Sequence, residues 1–263
     1  MSGLLKNNLV VTAGTALSRV TGLLRLTALL AVIGRNAVSD AYLLANETPN
    51  IVYELLVGGV LSATLIPLFT SFDAQADDDP DGADRARNAV LTTAFALIVA
   101  VTVIGMLAAP LVFRAFATNI GPDVDAALFR DAGTVLARIF LLQILFYGLT
   151  GLANAFLNSR KRFFAAAWSP VLPNLIIIAT LLSLPEPADG AYSLTDVLDD
   201  RRLQLTLGLG ATLGIAAMAL ALLPAALAAG LRPRLVWAPK HPAVKKLLSL
   251  SFWTFGFVLA NNV

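Results

Sequence analysis

Five charged residues lie in two stretches that otherwise read as membrane-crossing helix. Arg19 and Arg25 interrupt "ALSRVTGLLR", and Asp40, Glu47 and Glu54 interrupt "SDAYLLANETPNIVYELLVGG". A charge at the bilayer centre costs about 2.5–3.5 kcal/mol on insertion scales, so such residues face a bundle interior or a water-filled cavity. Guanidinium groups at that depth suit an anionic substrate, whose oxygens arginine binds in a planar fork. Carboxylates there suit a coupling proton or cation, and burial raises their affinity for the proton. Asp40, Glu47 and Glu54 are spaced by seven, and at ~100° per residue seven steps return to within about 20° of the start. The three carboxylates therefore share one stripe, with Asn50 on the same side. Pro49 between them removes a helix hydrogen bond and marks a kink. In the first stretch Ser18 and Arg25 share a face, Arg19 lies about 120° from Arg25 around the axis, and Gly22 offers room for close helix approach.

The elements that must position these residues follow from composition. Of 263 residues 57% are hydrophobic and only 14% charged, with a mean hydropathy of +0.77. Soluble domains carry roughly 25% charged residues. The fold class is an all-α integral membrane protein. No cysteine is present, which excludes disulfides and thiolate metal sites. A net charge of +2 is too small and scattered for nucleic-acid binding. No nucleophile, metal-ligand cluster, phosphate-binding loop or cofactor motif stands out, so an enzyme is not expected.

Uncharged runs locate the spans. Arg87 to Arg114, Arg138 to Arg160, Arg162 to Glu186 and Arg202 to Arg232 bracket 26, 21, 23 and 29 residues. Each exceeds the ~20 residues that cross hydrocarbon. Two charge-interrupted spans precede them, Leu9 to Ile33 and Asp40 to Phe72, and a seventh run begins at Leu247. The expected organisation is a six-helix transmembrane lobe over 1–230, a basic linker over 231–246, and the start of a second lobe over 247–263. The apolar run still continuing at Val263, and the faint echo of the N-terminal segment in "VKKLLSLSFWTFGFVLANNV", suggest one half of a longer two-lobe protein. Eleven basic residues on the N-terminal side against six on the other favour a cytoplasmic N-terminus.

Three loop features read more plainly. "DDDPDGADRARN" resembles the opening of a calcium loop, but Asn88 stands where a bidentate Glu is required, so an acidic connector is expected. "PEPADGAYSLTDVLDDRR" reads as a solvated connection rather than an ordered flap. His241, the only histidine, reads as a solvated loop residue.

For the intramembrane charges two readings stay open. Arg19 or Arg25 could pair with Glu47 or Glu54 as glue between the first two helices, or the groups could line a polar cavity for an anionic substrate or coupling ion.

"ALSRVTGLLR", followed by "SDAYLLANETPNIVYELLVGGVLSATLIPLF" and later by "GLANAFLNSRKRFFAAAWSPVLPNLIII", resembles the MurJ/MviN family of lipid II flippases. That family lies within the multidrug/oligosaccharidyl-lipid/polysaccharide exporter superfamily. The resemblance implies two bundles around a cationic central cavity with alternating access, in the bacterial plasma membrane. It implies that Arg19 and Arg25, with Ser18, Asp40 and Asn50, contact the undecaprenyl-pyrophosphate-linked headgroup of lipid II, the tail staying among membrane lipids. Glu47 and Glu54 are then candidates for ion coupling, and Pro49, Gly58 and Gly59 for a hinge. The chain departs from the family pattern at Tyr53 and Glu54, where arginines are typical, and at Gly58 and Gly59, where Glu-Gly is. The alternatives are a cation-coupled drug or polysaccharide exporter of the same superfamily, and a non-transporting scaffold whose charges are merely paired.

Overall fold

In the computed structural model, residues 3–53, 62–187 and 190–249 are described, and among them the regular structure is entirely helical. Eleven helices follow in order. They are α1 (Gly3–Val32), α2 (Ala37–Tyr53), α3 (Ser62–Gln75), α4 (Pro80–Leu107), α5 (Ala109–Phe116) and α6 (Ala126–Phe140). After these come α7 (Gln143–Ser159), α8 (Phe164–Trp168), α9 (Val171–Leu182), α10 (Leu194–Asp199) and α11 (Arg201–Ala228). Among the described residues five helical stretches are long and apolar enough to cross a membrane: Leu9–Val32, Pro80–Leu107, Ala126–Ser159, Phe164–Leu182 and Arg201–Ala228. The remaining expected span corresponds to α2 and α3, whose connection lies outside the described residues together with Glu54, Gly58 and Gly59.

Side chains that satisfy backbone groups set the helix starts. Asp79 caps α4 by accepting from the Gly82 amide at 2.9 Å, and Pro80 fills the first turn. That position needs no amide donor. The acidic run that resembles a calcium loop is thus a helix start. Asp125 and Asp200 cap α6 and α11 in the same way. α6 and α7 are nearly continuous, so this span reaches back to Ala126 and takes in Arg130 as well as Arg138, the residue that charge counting takes as its boundary.

The connection after α9 differs from its sequence reading. It is folded down as a flap. Tyr192, Leu194 and Val197 are buried in a core shared with α2, α6 and α11. The Tyr192 hydroxyl donates to the Pro185 carbonyl, and Ser193 and Asp196 form a capping box that starts α10. Asn36 ties the flap to the turn before α2 by donating to the Tyr192 carbonyl at 3.2 Å. Pro and Asp content marks a loop, but "AYSLTDVL" also supplies Leu194 and Val197 at helical spacing, with Tyr192 as a further anchor ahead of them.

Two cores stack along the bundle. One, at the end where α1 finishes, centres on Phe113, Phe140 and Leu207; the other, at the end where α1 begins, centres on Phe69, Phe156 and Leu222. α11 packs on α9, α7 and α6, and α1 packs on α9 and α8. Glycines permit the closest approaches: a Cβ on Gly210 would sit 2.2 Å from Thr180, and one on Gly133 2.0 Å from the Phe113 ring. Gly22 is not such a point, since a Cβ there would meet only the Asn174 amide at 3.7 Å. The tight contact on α1 is Gly14, against the Trp168 ring at 2.8 Å. Outside the cores, Leu23, Leu107, Leu182, Leu213 and Leu220 are widely exposed, an outer surface suited to lipid tails rather than water.

The stretch from Arg232 to Trp237 runs over the beginning of α4, and a helical run over 242–249 follows. Ala243, Val244 and Leu247 of that run are buried in the Phe69–Phe156 core. His241 is half-buried and helps start the run, its Nδ1 accepting from the Ala243 amide at 3.2 Å. A helix-start role for it was not evident from the loop's composition.

Candidate functional site

α1 is held against α8 and α9 by polar contacts at two heights. Asn174 of α9 donates to the Ser18 carbonyl at 3.1 Å and to the Thr21 hydroxyl at 3.0 Å. Nearer the start, Trp168 Nε1 donates to the Val10 carbonyl at 3.1 Å. Thr21 in turn donates back to the Leu17 and Ser18 carbonyls. These contacts fix the rotation of α1 about its own axis, and with it the directions of its arginines. Arg25 lies on the bundle-facing side, half-buried and within electrostatic reach of Tyr42 on α2. Arg19, about 120° away, is exposed. Ser18 is half-buried.

α2 turns one face into the bundle and one out. Ala41, Tyr42, Ala45, Thr48 and Pro49 are buried, while Asp40 and Glu47 are exposed on the opposite side. Tyr42 packs edge-on against Phe140 with ring centroids 5.3 Å apart. Asn46 accepts a hydrogen bond from the fully buried Gln143 of α7 at 3.1 Å, which sets the height of α2. Asn50, half-buried, donates to Glu47 at 3.1 Å.

The glue reading depends on pairing between the first two helices. Among the described residues Arg19, Arg25, Asp40 and Glu47 take part in no ion pair. α1 is seated chiefly on α8 and α9, and α2 chiefly on α6 and α7. Glu54, the other proposed partner, lies outside the described residues. The described arginines on α1 therefore present charge without a carboxylate on it.

A second arginine cluster, at the end where α1 begins, is organised differently. Asp73 at the end of α3 accepts from Arg87 at 2.8 Å and from Arg160 through two nitrogens, each at 2.7 Å. Arg87 also pairs with Asp84, and Arg160 donates to the Ala229 carbonyl at 3.0 Å. Both guanidinium groups lie over the Phe156 ring, at 6.0 and 5.2 Å. One carboxylate thereby ties together the ends of α3, α4, α7 and α11.

The residues missed by sequence reasoning are the positioning ones: Asn174, Trp168, Gln143 and Asp73. Asn174 was visible only as part of the quoted "VLPNLIII", and the sole signal for Gln143 is an amide in an otherwise apolar span. Gln143, Thr150 and Asn154 share one stripe of α7, and each keeps a buried side-chain oxygen without a hydrogen-bond partner. Among the described residues no group of three or more His, Cys, Asp or Glu is arranged to hold a metal ion.

A family model described as "Lipid II flippase MurJ" matches residues 29–263, beginning just after Arg25. Lipid II flippase MurJ of Burkholderia cenocepacia is 34% identical over 172 residues, 65% of this chain and 32% of that protein. Probable lipid II flippase MurJ of Vibrio cholerae is 28% identical over 257 residues, 94% of this chain and 45% of that protein. The corresponding Haemophilus influenzae protein is 30% identical over 243 residues, 90% of this chain and 44% of its own. A solved structure titled "Lipid II flippase MurJ, inward closed conformation" has the same fold, with a TM-score of 0.68 at 20% identity. The match covers 94% of this chain and 47% of that one. The chain spans less than half the length of these relatives.

Proposed function

The chain belongs to the lipid II flippase MurJ family, and from that premise we propose that it forms the N-terminal lobe of a transporter for lipid-linked peptidoglycan precursor. The lobe comprises residues 1–230, followed by a basic linker over 231–246 and the start of a second lobe over 247–263. The headgroup of lipid II enters from the cytoplasmic side, where the N-terminus lies, and the two lobes rock to expose it at the outer leaflet of the bacterial inner membrane. No covalent bond is made or broken, and no cofactor is required.

One observation carries this reading. Arg25 and Arg19 are held in defined directions by the Asn174 contacts, yet no described carboxylate neutralises them. Unpaired guanidinium groups at membrane depth are costly unless an anion joins them, and the pyrophosphate of lipid II is such an anion. Ser18, Asp40 and Asn50 complete the proposed headgroup contacts. Glu47, with Asn50 donating to it, is the described carboxylate assigned to ion coupling, and Pro49 is the described part of the hinge. Glu54, Gly58 and Gly59 retain the coupling and hinge roles proposed from sequence.

The test uses cells depleted of their own flippase and complemented with the full-length protein. The fraction of lipid II exposed on the outer leaflet is measured for wild type, Arg19→Ala and Arg25→Ala, with membrane levels checked. Wild type is expected to restore exposure and the arginine variants to lose it. If wild type leaves exposure unchanged, lipid II is the wrong cargo. If both variants restore it fully, the arginines do not bind the headgroup.

A further inference from the structure

We propose that a groove between α4, α7 and α11 holds one acyl chain of an anionic phospholipid, with the lipid phosphate seated at Arg234. This site is additional to the transport reading. Its walls carry none of Arg19, Arg25, Asp40 or Glu47.

The groove has a volume of about 350 Å³ and is walled almost wholly by apolar side chains, among them Leu152, Ala153, Ala219 and Leu223. A peptide or sugar placed there would lose its hydrogen bonds to water without replacement. A hydrocarbon chain loses none. The strap that follows α11 closes the groove at the end where α1 begins. Its backbone is fastened to α4: the Asn88 side-chain carbonyl accepts from the Arg234 amide at 2.7 Å, and Thr92 accepts from the Val236 amide at 3.0 Å. Thr92 also donates to the Arg234 carbonyl at 3.4 Å.

These contacts hold the Arg234 main chain at the mouth of an apolar slot and leave its side chain exposed. Among the described residues that guanidinium enters no ion pair. The surroundings match an anionic headgroup. Arg232 is exposed beside it, and Arg85, Lys240 and His241 line a neighbouring cleft at the same end. Trp237, exposed on the same strap, is the residue type that settles at the headgroup level. A chain-sized apolar slot, an exposed cation on a fastened main chain at its mouth and an interfacial tryptophan together specify a lipid, and the positive rim specifies a negatively charged one.

The experiment uses the purified full-length protein in mild detergent, with lipid retention read by native mass spectrometry. The probes are phosphatidylglycerol and phosphatidylcholine with matched acyl chains. Wild type is expected to retain phosphatidylglycerol about fivefold more strongly, as one well-placed surface cation implies. Arg234→Gln should abolish that preference at unchanged melting temperature, because its backbone contacts survive. Ala153→Trp, which fills the slot, should abolish retention of both lipids. Equal retention of the two lipids by wild type, or an undiminished preference in Arg234→Gln, overturns the proposal. So does displacement of phosphatidylglycerol by equimolar undecaprenyl phosphate, which would make the groove a seat for the cargo's tail. Should Ala153→Trp fail to fold, Arg234→Gln decides alone.

Discussion

Two pairs of arginines in this bundle follow opposite rules. Arg87 and Arg160 converge on Asp73, stack over Phe156 and spend further donors on Asp84 and a backbone carbonyl. Arg19 and Arg25 sit on a helix whose rotation the Asn174 contacts hold, but no described carboxylate meets them. The first pair completes its electrostatics within the fold, and the second leaves them open. Burial alone does not separate the pairs, since Arg160 and Arg19 are both exposed. What separates them is whether the fold supplies the counter-charge.

Substitutions can break this contrast. Asp73→Ala should have the largest effect. It leaves the Arg87 guanidinium, whose side chain is only 6% exposed, with Asp84 alone and takes the carboxylate from Arg160, where outright loss of one partner of a buried pair costs about 3–5 kcal/mol. Because Asp73 is itself partly exposed, the lower end is expected, read as a fall in melting temperature and membrane level. Arg25→Ala should behave in the opposite sense, leaving melting unchanged while lowering outer-leaflet lipid II exposure about tenfold or more, as loss of a charge-assisted contact implies. Matching falls in stability for the two variants would collapse the distinction.

Asn174→Ala sharpens the comparison by removing the support and not the charge. It leaves the Thr21 hydroxyl with only its own helix, at a cost of about 1–2 kcal/mol, and should lower transport by freeing the rotation of α1. Retained transport at reduced stability would show that the arginines need no fixed direction. Tyr192→Phe should have the smallest effect, about 1 kcal/mol, confined to the flap and measured by hydrogen exchange. Burial, and then the charges of Asp200 and Asp196, hold the Tyr192 hydroxyl above its usual ionisation range. Flap stability is therefore full below pH ~10 and falls as pH rises through the elevated value, a dependence the phenylalanine variant should lack.

Much of the architecture was legible because membrane helices announce themselves: long apolar runs bounded by charge leave few alternatives. That Asp40 and Glu47 share one side of α2 was legible as well, because they repeat at a helical period; that this side is the exposed one was not. The flap was not, since its anchors Tyr192, Leu194 and Val197 lie among Pro, Asp and Gly that signal solvent. Nor was the Asp73 cluster: its members lie 14 and 87 residues apart along the chain, and pairing at such separations leaves no local pattern. Arg87 and Arg160, which in the sequence serve only to bound uncharged runs, are committed to that cluster.

The fastening of the strap also has a mechanical side. Arg234 and Val236 are bonded to α4, and Ala243, Val244 and Leu247 are embedded beside Phe69 and Phe156. The polypeptide leaving α11 is thus not slack rope but a bracket bolted to the bundle at successive points. Torque passed along this segment would therefore reach the bundle as a whole instead of being absorbed at Gly230, just past the end of α11.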